Sequence, residues 1–151
     1  MPVATILRRG LLGLTGLGLV GTTIELVFLR HWSSTTAATV WIGVVTLAIG
    51  FVALLRRPSR TTLRIVRATA AVAFVIAITG IWFHVAENLT AGPLDRAYAT
   101  TWDTMSAVAQ WWTAITGGVG PAPTLAPGAL AEISLGLLLA TVGWRPAVRG
   151  A

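Results

Sequence analysis

The chain has 151 residues, 55% hydrophobic and only 11% charged, less than half the share of about 25% usual in a soluble domain. A water-soluble fold of this length needs more polar surface, so the composition indicates one integral membrane domain, too short for four spans plus a separate soluble catalytic domain. The net charge is +6, all 11 basic residues are arginine, and cysteine is absent, which excludes disulfides, thiolate catalysis and cysteine-held zinc or iron–sulfur centres.

The first apolar segment covers about residues 11–29 and follows Arg8 and Arg9. Such a segment rises ~28 Å, close to a hydrocarbon core of about 30 Å, and reads as a span. The alternative is a cleaved signal peptide, but the stretch is long for one and no small-x-small cleavage site follows promptly. A second segment covers 38–55 and a third 66–86. Between them stand Arg56, Arg57, Pro58, Ser59, Arg60 and Arg64, with Arg67 just beyond. Pro58 stops the second helix, and the arginines hold the hairpin in the cytoplasm.

The connection over residues 87–126 is too long for a plain hairpin. Leu94, Tyr98, Trp102, Met105, Ala109, Trp112 and Ile115 recur at three- and four-residue steps, which predicts a surface-lying amphipathic helix over 93–116. It would close the outer end of the bundle or offer a docking surface to a partner or to lipid. Gly117, Gly118, Gly120, Pro121 and Pro123 then make an irregular loop. The fourth apolar segment covers 127–144, opened by Thr124 or Pro127 and followed by Arg145 and Arg149.

Charge sets the orientation. Arg8, Arg9, Arg56, Arg57, Arg60, Arg64, Arg67, Arg145 and Arg149 fall on one side of this pattern, and Arg30 and Arg96 on the other. The expected fold is therefore an all-α, four-transmembrane-helix antiparallel bundle with an exterior amphipathic helix between spans three and four, both termini cytoplasmic. Trp32, Trp41, Trp82 and Trp144 lie near span ends, where amphipathic rings prefer the interface. Arginines set beside apolar segments read as topology signals and anionic-lipid contacts, not as a nucleic-acid surface. The Ala, Gly and Arg bias without lysine resembles that of a GC-rich bacterial genome, and the expected location is a bacterial cytoplasmic (inner) membrane.

Membrane helices associate through close packing, so small residues mark contact faces. One stripe joins Gly18, Gly21, Thr22 and Glu25; a second joins Ala70, Ala73, Ala77, Gly80, His84 and Glu87; a third joins Ala129, Glu132, Gly136, Ala140 and Gly143. Glu25, His84 and Glu132 thus form a candidate intramembrane polar site, expected to face inward because a carboxylate in lipid costs several kcal/mol. Each has a plainer reading. Glu132 can answer the macrodipole at a helix start, and His84 can bond a carbonyl. Glu25 needs a partner, with His84, Arg30 or Arg96 available. Glu87 and Asn88 are placed at the water boundary.

A divalent metal on Glu25, His84 and Glu132, a proton relay through the same residues, and a haem b between His31 and His84 are each chemically conceivable. No local ligand motif supports them, His31 follows Arg30 at the water boundary, and no cofactor is predicted. Metalloprotease, nucleophile-elbow and phosphate-loop motifs are absent from the sequence, and the apolar midplane makes a lone four-span monomer a poor transporter, though an oligomer could still form a pore. The expected function is a non-enzymatic accessory or structural subunit of a membrane complex, with the lipid bilayer and a membrane protein or second copy as partners. The alternative is a redox, metal or proton-handling component using the Glu/His site.

On the run from Gly21 to Leu26 leading to His31 and Trp32, and on Ala126 to Leu130 opening the last segment, the chain looks like small bacterial four-helix membrane proteins. Its layout is also similar to that of four-helix quinone-linked membrane subunits of the DoxX type. That resemblance implies a helical membrane bundle and assigns no site residue.

Overall fold

The computed structural model describes residues 3–56 and 59–144; Arg57, Pro58, Arg145 and Arg149 lie outside the described residues. The described residues form five α-helices and no strand: α1 Val3–Phe28, α2 Thr35–Arg56, α3 Arg60–Ala91, α4 Ala107–Ile115 and α5 Ala126–Ala140. The first three contain 26, 22 and 32 residues, and all three are long and apolar enough to cross a membrane. Their lengths correspond to ~39, ~33 and ~48 Å. α5 has 15 residues, ~22 Å, short of the roughly 20 residues a span ordinarily needs. The segment expected over 127–144 ends as helix at Ala140. The Thr141, Val142 and Trp144 amides reach back only three residues, and Gly143 takes a left-handed φ of 65°.

Local chemistry sets the other ends. Ser34, Ser59 and Ser106 each precede a helix, and each hydroxyl accepts from the amide three residues on, at 3.1, 3.0 and 3.3 Å. Each thereby satisfies one of the free N–H groups of a helix start. The Ser59 cap lets α3 begin at Arg60, earlier than the expected 66. α1 closes with Arg30 at φ 49°, its amide bonded to Val27 and the His31 amide to Leu26, the double bond of a Schellman end.

The chain divides into two compact units, residues 1–77 with 129–151 and residues 78–128. In the first, α1, α2, the start of α3 and α5 meet around Leu19, Leu47, Leu54, Val66, Leu130 and Leu137. The α3 alanines Ala70, Ala73 and Ala77 are buried, as their spacing predicts. Gly43 lets Leu130 approach so closely that an added Cβ would sit 2.9 Å from it, the close contact that small residues permit between membrane helices. Arg8 donates from Nε to the Ala140 carbonyl at 3.0 Å and lies 4.6 Å from the Trp144 ring centroid. Arg67 donates from Nε to Thr141 Oγ1 and from Nη2 to the Thr141 carbonyl, both at 3.0 Å. The starts of α1 and α3 therefore both lie at the C-terminal end of α5. Thr15 is buried beside Gly136, and its hydroxyl finds no hydrogen-bond partner among the described residues.

The second unit holds the far half of α3, the connecting segment and α4. The continuous helix expected over 93–116 is not formed. Two short 3-10 turns, Gly92–Leu94 and Trp102–Thr104, precede the nine-residue α4. The Asp95 carboxylate accepts from the Ala97 amide at 2.9 Å, which ties that stretch into a turn, and Ser106 adopts an extended backbone before restarting the helix. Trp102 folds inward to 5% exposure and packs with Val85, Ala114 and Val119. Gly92 makes room for it, since a Cβ there would run into the indole.

Candidate functional site

His84 and Asn88 stand one turn apart on α3 and share a face. Both turn toward the segment that returns from α4. His84 Nδ1 lies 2.8 Å from the Pro123 carbonyl; a carbonyl only accepts, so Nδ1 carries the proton. Asn88 is 0% exposed. Its amide nitrogen donates to the carbonyls of Ala114 at 3.2 Å and Ala122 at 2.9 Å, and its oxygen accepts from the Ala122 amide at 2.9 Å. Gly120, at φ 76°, brings the loop backbone onto Asn88, where a side chain would collide. Thr124 adds a bond from its hydroxyl to the Ile115 carbonyl at 2.7 Å, and Gln110 one to the Trp102 carbonyl at 2.7 Å. His84 and Asn88 thus clamp the end of α4 and the loop after it to α3, while Thr124 ties that loop to α4 and Gln110 ties α4 to the turn at Trp102.

The other sequence candidates sit differently. Glu25, Glu87 and Glu132 are exposed. The buried ridge of α1 is Thr15, Leu19, Thr22 and Leu26, about a quarter-turn away from Glu25 at 100° per residue. That of α5 is Leu130, Ile133, Ser134, Leu137 and Ala140, leaving Glu132 on another side. The inward orientation expected of these two carboxylates is thus not the one observed. Small residues occur on several faces of these helices, and the ridges that bury are made of leucine, isoleucine and threonine as well. Arg30 is exposed at the end of α1, and the half-buried His31 gives its carbonyl to the Trp41 indole N–H at 2.9 Å.

Glu25, Arg30, His31 and Glu132 belong to the first unit, and His84, Glu87 and Asn88 to the second. Among the described residues no three His, Asp or Glu side chains gather to hold a metal ion. The chain matches no protein family, no curated protein and no solved structure. Its site is therefore read from its own side chains. Asn88, placed at the water boundary by sequence, is instead fully buried and makes three hydrogen bonds to the backbone of the returning segment. The stripe drawn from His84 to Glu87 passed it over, although Asn88 lies four residues after His84, one turn along the same helix.

The surface stripe expected over 93–116 included Trp112 and Ile115 but not Val108 and Trp111, which complete the outward face of α4. Val108, Trp111, Trp112 and Ile115 line a shallow apolar groove of about 350 Å³ together with Ala107. Their spacing of three, four and seven residues was visible in the sequence, but the stripe drawn through Trp102 and Met105 ran across a break between two elements.

Proposed function

We propose that the protein is a non-enzymatic accessory subunit of a membrane complex. In this reading it forms a four-span antiparallel bundle in a bacterial cytoplasmic membrane, both termini cytoplasmic, and its outer helix faces seat partner helices. α5 serves as the fourth span despite its length, since a short span is accommodated by local bilayer thinning.

The observation that carries this reading is how little of each long helix the chain covers by itself. Only 22%, 28% and 22% of the most apolar stretches of α1, α2 and α3 are buried. On α1 the exposed surface includes Gly10, Gly13 and Gly21, where nothing in the described chain comes within 4 Å of an added Cβ. Open glycines in an apolar helix allow a second helix backbone to approach closely. Glu25 borders that face, and a hydrogen-bond donor on a partner helix would relieve the cost of a carboxylate in lipid.

The test is purification from native membranes in mild detergent, with mass analysis, an absorption spectrum and metal analysis. A membrane protein should co-purify in fixed ratio, and Gly13→Leu should abolish that association while leaving thermal stability unchanged. A lone monomer, a Soret band or a stoichiometric metal would overturn the reading.

A further inference from the structure

The connecting segment carries a surface that the clamp at Asn88 does not use. α4 contains no charged residue, and the sequence carries none from residue 104 to residue 131. Its outward side chains are nonetheless large and apolar: Val108 is 80% exposed and Trp112 69%, with Trp111 and Ile115 also open. The opposite side is fixed. Ala114 is buried, Thr124 bonds the carbonyl at Ile115, and Gln110 bonds the Trp102 carbonyl. The helix cannot turn its aromatic face inward without breaking those contacts.

That face is continuous with the outer surface of α3. The Trp111 ring lies 5.4 Å from that of Trp82, which is itself 56% exposed on a helix of membrane-crossing length. One turn earlier on α3, Ile78 is exposed too. Trp82 follows Arg67 along the same helix by 15 residues, ~22 Å of rise. Counted from Arg67, this puts Trp82 in the outer third of a hydrocarbon core of about 30 Å, one to two turns short of the far boundary near which tryptophan rings gather.

We infer that α4 is seated in the membrane interface at the C-terminal end of α3, with Val108, Trp111, Trp112 and Ile115 in contact with phospholipid acyl chains. The occupant of the groove is lipid. A hydrated surface would be expected to carry charge, and this one continues a face already turned to hydrocarbon. Because the face is uncharged, the seating depends on apolar burial and ring placement, not on anionic headgroups. The inference needs only that α3 crosses the bilayer, and stands whether or not the chain serves a larger complex.

The absence of cysteine allows a direct test. The full chain carrying Val108→Cys, Trp112→Cys or Asp103→Cys would be spin-labelled and reconstituted in phosphatidylcholine vesicles. Collision with oxygen, which concentrates in lipid, is compared with collision with a water-soluble nickel chelate. At 108 and 112 oxygen should dominate, and at 103 the order should invert. Adding phosphatidylglycerol should leave both ratios unchanged. Dominance of the nickel chelate at 108 and 112 would show a hydrated helix and overturn the inference. Exclusion of both reagents would overturn it in favour of a second copy packed on the face. Val108→Cys removes little, so the test survives if Trp112→Cys folds poorly.

Discussion

The Asn88 amide makes three of the bonds that hold the return loop, beside those of His84 and Thr124. Asn88 spends both of its amide protons on carbonyls at Ala114 and Ala122 and accepts from the Ala122 N–H, all in a site closed to solvent. Replacing it with alanine strands one donor and two acceptors. A net bond is worth about 1 kcal/mol, but a buried group left without a partner costs 1–3 kcal/mol, so Asn88→Ala should weaken the loop by roughly 2–4 kcal/mol. Hydrogen exchange followed by mass spectrometry should show faster exchange over residues 113–124 and little change in α1 or α2. Unaltered protection there would mean that the clamp is not what orders the loop. The sequence could not show this role, because the partners of Asn88 lie 26 and 34 residues away and no periodicity links them. Glu25 illustrates the opposite error. Its neighbours Gly18 and Gly21 suggested an inward face, yet only Gly18 meets another helix, at Ile133, while Gly21 faces open space. A glycine permits contact without requiring it, and only the tertiary arrangement chooses.

Among elements, the long helices were the most legible. Length and unbroken apolar composition suffice to specify α1, α2 and α3, because in hydrocarbon every backbone group must bond within its own segment. The connecting segment obeys different forces. There the backbone can bond to side chains and water, so short polar residues compete with the helix. Asp95 wins that competition at one turn and Ser106 resets the chain before α4, which is why an evenly spaced stripe over 93–116 resolved into three elements. If Ser106 sets the start of α4, Ser106→Ala should destabilise that helix by about 1 kcal/mol. The Ala109 amide, which bonds the Ser106 hydroxyl, should exchange faster, and Ser106→Asp should restore its protection. Equal exchange at Ala109 in the wild type and the alanine variant would refute capping as the cause. The expected consequence reaches the lipid-facing groove, since Val108 belongs to the same first turn.

For the whole molecule, the proposed orientation ties together charge and fold. Nine arginines fall on the side assigned to the cytoplasm and two on the other. Two of the nine, Arg8 and Arg67, also bond the carbonyls at Ala140 and Thr141. Ala140 ends α5 and Thr141 follows it, so both guanidinium groups sit at the α5 C-terminus, where the helix dipole favours a cation. The same residues would therefore steer insertion and fasten the short last helix. A single orientation follows, and the cysteine-free chain makes it measurable. Thr61→Cys, beside Arg60 at the start of α3, and Asp103→Cys, in the connecting segment, are both at exposed positions. In intact spheroplasts a membrane-impermeant maleimide should label Asp103→Cys and leave Thr61→Cys untouched until the membrane is opened. The reverse pattern would invert the topology, and labelling of both in sealed spheroplasts would rule out one fixed orientation. Either result would separate the arginines' role at the α5 terminus from any role in insertion, because the bonds of Arg8 and Arg67 lie within one unit of the fold and do not depend on which side of the membrane that end faces.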